Sequence, residues 1–224
     1  MTDIAVLVHG AGSCPATAAL LLGPAVPDGV TPVAVTARAD VESVVDVVDA
    51  AAHGCRVVLV AGISLGAHAA ALWAVRGGRA DSLLLAMPAW TGAPDPVAAL
   101  TGRSADEIAR RGRAAVLAEI SAAAEGDWVV EELRRGWETY DDDALVAALR
   151  AGAGSAGPTR TELAAIRTPT AVVALADDPL HPESVARTWS AAIPGAALGI
   201  VGRHDPATDR GALGRAGREL LRGA

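Results

Sequence analysis

A chain of 224 residues is long enough for one domain with a sizeable core, and 51% hydrophobic against 20% charged residues excludes a disordered protein. A net charge of -7 with no basic stripe argues against a nucleic-acid partner. No apolar run approaches the ~18 residues of a membrane helix, the acid-bearing start Met1-Thr2-Asp3 is unlike a signal peptide, and the two cysteines, Cys14 and Cys55, lack metal spacing. The expectation is a soluble cytoplasmic protein with reduced thiols and no membrane association.

The first predicted element is Ile4 to Val8, a continuous apolar run of the kind buried on both faces of a sheet. It ends in His9-Gly10-Ala11-Gly12, where small residues let a ligand approach backbone N–H groups closely; Gly10 and Gly12 are therefore pocket candidates. His9 reads as a structural residue bonded to nearby backbone. Pro15 to Leu22 suits a short helix and Pro32 to Val35 a second strand. Asp40 caps a helix whose Val41, Val44, Val45 and Val48 repeat at i, i+3, i+4, i+7.

The stretch from Val57 to Ala70 organises the chain. Aliphatic residues run into Gly62, an Ala-rich helix follows Ser64, and between them lies Gly62-Ile63-Ser64-Leu65-Gly66. A G-x-S-x-G pattern at a strand-to-helix turn is sharp enough that a β-carbon on either glycine would meet backbone, and it holds the serine in strained φ/ψ at the sheet edge. The helix N-terminus then offers N–H groups and the positive end of a dipole to an oxyanion. The best oxyanion-hole donors are the N–H groups of Leu65 and Ala11, with Gly12 open as an alternative to Ala11. His68, one turn into the helix, reads as structural.

Asp81 to Met87 is the fourth predicted strand, and Trp90, just beyond it, is a candidate wall of a pocket. From Thr91 to about Arg160 no strand-like run occurs. Ser104-Ala105-Asp106-Glu107 has the form of a capping box. Asp127 precedes a helix with Val130, Leu133, Trp137 and Tyr140 on one face, and Asp141-Asp142-Asp143 starts another. Both flanking strands end at one sheet edge, so this block is expected to cover that edge, with Trp137 and Tyr140 touching substrate. Arg110, Arg111, Arg113, Arg134 and Arg135 cluster within it, and an inward-facing one would suit a substrate carboxylate. Gly152 to Pro158 is the way out.

Thr170 to Ala176 and Ala196 to Val201 complete the strands. Six strands alternating with helices predict an α/β protein with a mainly parallel sheet of about six strands, helices on both faces and a helical cap after the fourth strand. The expected division is a core of residues 1–90 and 161–224 with a cap of residues 91–160. Chemistry in such sheets sits beyond the carboxyl ends of the strands, where Ser64, Asp178 (next to Asp177) and His204 fall in that order.

With these marks the sequence resembles the α/β-hydrolase fold family over essentially its whole length. The marks are His9 to Gly12, the Ser64 turn, Leu163-x-x-Ile166-x-x-Pro169-Thr170 before a strand, the loop Asp178-Pro179-Leu180-His181-Pro182, and a histidine after the final strand. The family's acid stands four residues before a proline in this loop, which selects Asp178 over Asp177. The resemblance implies a sheet trimmed of the early strand pair and a variable cap that sets substrate choice. The resulting expectation is a hydrolase of a small ester, thioester or lactone: Ser64 attacks, His204 moves the proton, Asp178 orients the imidazole, and an acyl-enzyme forms without metal or cofactor. Two rivals share these residues: a lyase using them for proton abstraction, and a non-catalytic binding protein. The expected partner is a small acyl substrate; the sequence leaves the oligomeric state open.

Overall fold

The computed structural model describes residues 2–94, 96–124 and 126–223. In chain order the elements are β1 (Asp3–Val8), α1 (Pro15–Leu22), β2 (Thr31–Val35), α2 (Val41–Ala52), β3 (Arg56–Ile63), α3 (Leu65–Val75), β4 (Ser82–Ala86), α4 (Pro96–Arg111), α5 (Arg113–Ala123), α6 (Trp128–Trp137), α7 (Asp142–Gly154), α8 (Arg160–Leu163), β5 (Thr170–Leu175), α9 (Glu183–Ala192), β6 (Ala197–Val201), α10 (Asp205–Thr208) and α11 (Ala212–Arg222). The strands form one sheet of order β2-β1-β3-β4-β5-β6, and every neighbouring pair is parallel. All six predicted strands are present, with ends moved by a residue at most positions.

Parallel strands need covered faces, and the two-residue period of each strand supplies an apolar set to both. Val6, Val8, Val60, Leu83, Leu85 and Val172 face one layer, packing with Val44 and Val48 of α2, the alanines of α3 and Trp189 of α9. Leu7, Leu59, Leu84, Val173 and Leu175 face the other, against Leu21 and Leu22 of α1 and Leu213 of α11. Each such fully buried aliphatic side chain contributes about 1.5–3 kcal/mol of burial free energy.

Helices α4 to α7 lie between β4 and β5 and carry an apolar cluster of their own, including Ile108, Val116, Trp137, Leu145 and Leu149. Asp127 and Asp141 cap α6 and α7 through Val129 N–H and Ala144 N–H, as their positions suggest. The capping box expected at Ser104 is absent: α4 runs unbroken through it, and Ser104 Oγ instead donates to Leu100 O one turn back. Burial of Ala105 and Ile108 outweighs the local preference of serine for a helix start. The exit from the block is also later than expected, because α7 holds Gly152 and Gly154 within its last turn.

Candidate active site

The turn between β3 and α3 has the predicted strain. Ser64 sits at φ 56°, ψ -121°, its N–H donating to Ala86 O at 3.0 Å. A Cβ on Gly62 would overlap Gly66 O, and one on Gly66 would overlap Val8 O and lie 2.8 Å from His9 O. Both glycines are thus demanded by close backbone approach. The loop after β1 passes directly over the serine, since a Cβ on Gly10 would fall 3.0 Å from Ser64 Cβ. His9 fixes that loop: its Nε2 accepts Ala37 N–H at 2.9 Å, leaving Nδ1–H to donate to Gly10 O at 2.8 Å. Burial, partly opposed by the Gly10 bond, lowers its pKa. The N–H groups of Leu65, Ala11 and Gly12 make no backbone hydrogen bond among the described residues.

The histidine that the fold brings to Ser64 is His181. Its Nε2 lies 2.9 Å from Ser64 Oγ and its Nδ1 lies 3.0 Å from Asp178 Oδ1. The cause is local. Asp178 Oδ1 also accepts the N–H groups of Leu180 and His181, each at 2.9 Å, so the loop folds back over its own carboxylate. That turn delivers the imidazole between acid and hydroxyl, with the proton on Nδ1 and the Nε2 lone pair toward Ser64. Burial raises the Asp178 pKa, but the His181 bond and charge together with the two backbone N–H bonds outweigh it and hold the carboxyl below its ordinary value.

His204, the histidine expected beside Ser64, is not brought there. Asp205 Oδ2 accepts Gly202 N–H at 2.8 Å, which closes a turn straight after β6 and leaves His204 exposed. Its neighbour Arg203 faces inward instead: Nη2 pairs with Asp127 at 2.7 Å and Nε lies 3.9 Å from Asp178 Oδ2. The choice between the adjacent acids is also visible, because Asp177 is exposed at φ 52° while Asp178 is buried. In the sequence His181 stands within the acid loop with no role assigned to it. The available signal was the i, i+3 spacing to Asp178.

Ser64 and His181 line a cavity of about 400 Å³. Gly10, Ala11, Gly12, Leu65, Trp90 and Trp137 line it too, as expected. Tyr140 does not: it lies past the end of α6, its hydroxyl donates to Ser13 O at 2.9 Å, and Arg38 stacks on its ring. The cluster arginines also stay out of the cavity. Arg111 pairs with Glu107 and Glu119, and Arg113 binds Trp137 O and Tyr140 O, closing the turn after α6. Four unforeseen charged or aromatic residues do line it, namely Asp127, Trp128, Glu132 and Arg203.

His68 stands behind Ser64 as a structural residue. It is fully buried, accepts Ala89 N–H through Nε2 at 3.2 Å, and contacts Trp90 edge-on. Burial, and secondarily repulsion by His181, lowers its pKa to about 3, so it is neutral at physiological pH.

A parallel sheet with a strained serine at its carboxyl edge and a histidine–aspartate pair facing it is the architecture of α/β proteins with a serine at a sharp turn. The chain has the α/β-hydrolase fold. No family model matches the sequence, and no curated protein matches it significantly. Solved structures do resemble it. A hydrolase from Oleispira antarctica superposes with a TM-score of 0.75 at 16% identity, covering 100% of this chain and 92% of the other. The enol-lactonase from Burkholderia xenovorans LB400 gives 0.67 at 17%, covering 90% and 83%. A thermophilic esterase from Thermogutta terrifontis gives 0.66 at 16%, covering 100% and 88%.

Proposed function

We propose that this protein is a serine hydrolase acting on a small carboxylic ester, thioester or lactone. The observation that carries the reading is the His181 ring bridging Ser64 Oγ at 2.9 Å and Asp178 at 3.0 Å. Its proton acceptor is therefore His181 and not His204. Ser64 Oγ attacks the carbonyl carbon as its proton passes to His181 Nε2. The carbonyl oxygen becomes an oxyanion held by the Leu65 N–H, at the positive end of α3, and by the N–H of Ala11 or Gly12. The imidazolium, stabilised by Asp178, then protonates the leaving oxygen or sulfur as its bond to carbon breaks. Water, deprotonated by His181, cleaves the acyl-enzyme and returns the proton to Ser64.

The hydrolase, lactonase and esterase among the similar folds support this reaction class. Residues 91–160 act as a cap over a core of residues 1–90 and 161–224, since α4, α5, α6 and α7 each contribute lining to the serine's cavity. The test is labelling with a fluorophosphonate. The wild type should label and Ser64→Ala, folded by circular dichroism, should not; equal labelling of both would remove the reading.

A further inference from the structure

Among the described residues, four buried side-chain atoms lack a hydrogen-bond partner: His68 Nδ1, Glu132 Oε1, Trp137 Nε1 and Arg203 Nη1. Three of these residues line the cavity that holds Ser64, and Glu132 Oε1 has only a long ion pair, 3.6 Å from Arg210 Nε. Native proteins rarely leave such groups without hydrogen bonds, so their gathering in one cavity points to a polar ligand there.

The charge is not spread evenly. A continuous set of contacts leads away from His181. Asp178 approaches Arg203, Arg203 pairs with Asp127, and the Trp128 indole N–H donates to Arg203 O at 3.0 Å. Arg210 lies over Trp128 and its Nε comes 3.6 Å from Glu132 Oε1, while Thr17 donates to Glu132 Oε2 at 3.1 Å. The oxyanion loop leads elsewhere. A Cβ on Gly12 would meet Leu149 at 2.8 Å and the Trp137 indole nitrogen at 3.2 Å, so that unpartnered N–H lies here beside the oxyanion loop, and a Cβ on Gly152 would meet Ala11 at 2.9 Å. This side continues under α4 and α5 as Val97, Leu100, Thr101, Ser104, Ile120 and Ala124, uncharged throughout.

The chemistry orients the substrate between the two sides. On the hydrolase reading above, on which this inference rests, the leaving atom must come within hydrogen-bond reach of His181 Nε2. It therefore lies toward Arg203, Asp127 and Glu132, and the acyl chain extends toward Leu149 under α4. Charge narrows the class of leaving group. The cavity's charged lining is Asp127, Glu132, Asp178 and Arg203, and Arg203 already faces Asp127 and Asp178, so an anionic leaving group would compete with two carboxylates for it. A cation would have to displace Arg203 or Arg210 from existing pairs. A hydroxyl donates and accepts at once, so adjacent hydroxyls would satisfy a carboxylate oxygen and a guanidinium N–H without burying further charge. We infer that the substrate is an apolar acyl ester of a neutral polyhydroxy alcohol, and that Glu132 is the residue that selects its hydroxyls.

The test pairs 2,3-dihydroxypropyl butyrate with propyl butyrate, which share acyl group and carbon skeleton. Wild-type kcat/KM should favour the dihydroxy ester by about 10-fold, the scale of one or two hydrogen bonds to groups otherwise left unpaired. Glu132→Leu should remove most of that preference, and Glu132→Gln should retain part of it. Intrinsic ester reactivity cancels between wild type and variant. The wild type alone provides a second measurement, needed if the variants do not fold. Attack of an alcohol O–H on the butyryl-enzyme transfers its proton to His181, forms the ester and releases Ser64. Glycerol should be acylated about 10-fold more often than 1-propanol at equal concentration. Equal partitioning, or a preference untouched by Glu132→Leu, overturns the inference and assigns the orphaned groups to ordered water. A protein that neither labels at Ser64 nor cleaves any ester fails the hydrolase reading; one that labels and cleaves both esters alike fails only this one.

Discussion

Asp178 Oδ1 accepts Leu180 N–H, His181 N–H and the imidazole together, so one carboxylate oxygen shapes the loop that carries its own histidine. On the proposed reading, acid and base thus come from a single turn rather than from the ends of two strands. His181→Asn and Asp178→Asn should each lower kcat by about 10⁴-fold, the loss expected when proton transfer or tautomer control is removed from such a constellation. His204→Asn and Asp177→Asn, both at exposed positions, should leave turnover within about twofold. Steady-state kinetics on a nitrophenyl ester reads all four. A large loss in His204→Asn with none in His181→Asn would return the base to the position after β6.

The β3–α3 unit is the element on which the site depends. Glycine at position 66 is required because β1 passes at backbone distance, and no side-chain movement can make room for a Cβ against Val8 O. Gly66→Ala should cost about 3 kcal/mol, at the upper end of overpacking effects, because backbone rather than a rotamer must yield. Urea unfolding of wild type and variant measures it; a change under about 1 kcal/mol would show that β1 and α3 separate easily. This element was legible from local pattern alone, since strand, glycines and helix adjoin in the chain. The reach of α4 was not. Ser104 has the local form of a helix start, yet Ala105 and Ile108 pack on α7 and carry the helix through it.

Across the whole molecule, the packing of α3 on one face of the sheet buries His68 completely against Trp90 and Trp189. The unfolded chain binds a proton on this imidazole near pH 6.5, whereas the folded protein does so only near pH 3. Its contribution is therefore complete above pH 6.5 and is lost progressively as pH falls from there toward 3, with a slope approaching about 1.4 kcal/mol per pH unit. His9, lowered mainly by burial, acts in the same direction. His68→Gln keeps an acceptor for Ala89 N–H and removes the titration, so its urea midpoint should fall less than that of the wild type between pH 6.5 and 5. Parallel falls in the two proteins would show that His68 is protonated in the folded state.

The sequence by itself determined the class of fold, the six strands and the strained turn at Ser64, while the preference for Asp178 over Asp177 came from the family resemblance. Periodicity and glycine spacing act over a few residues and survive in a one-dimensional reading. Only the tertiary structure decided which histidine meets Ser64, that Arg203 rather than a cap arginine faces the cavity, and that Tyr140 anchors the loop at Ser13 instead of lining it. Each of these depends on the direction in which a side chain leaves a loop. That direction is set by small competing bonds, Asp178 to its own backbone and Asp205 to Gly202, whose partners are worth little singly and decide the outcome only once the sheet has brought the loops to one edge.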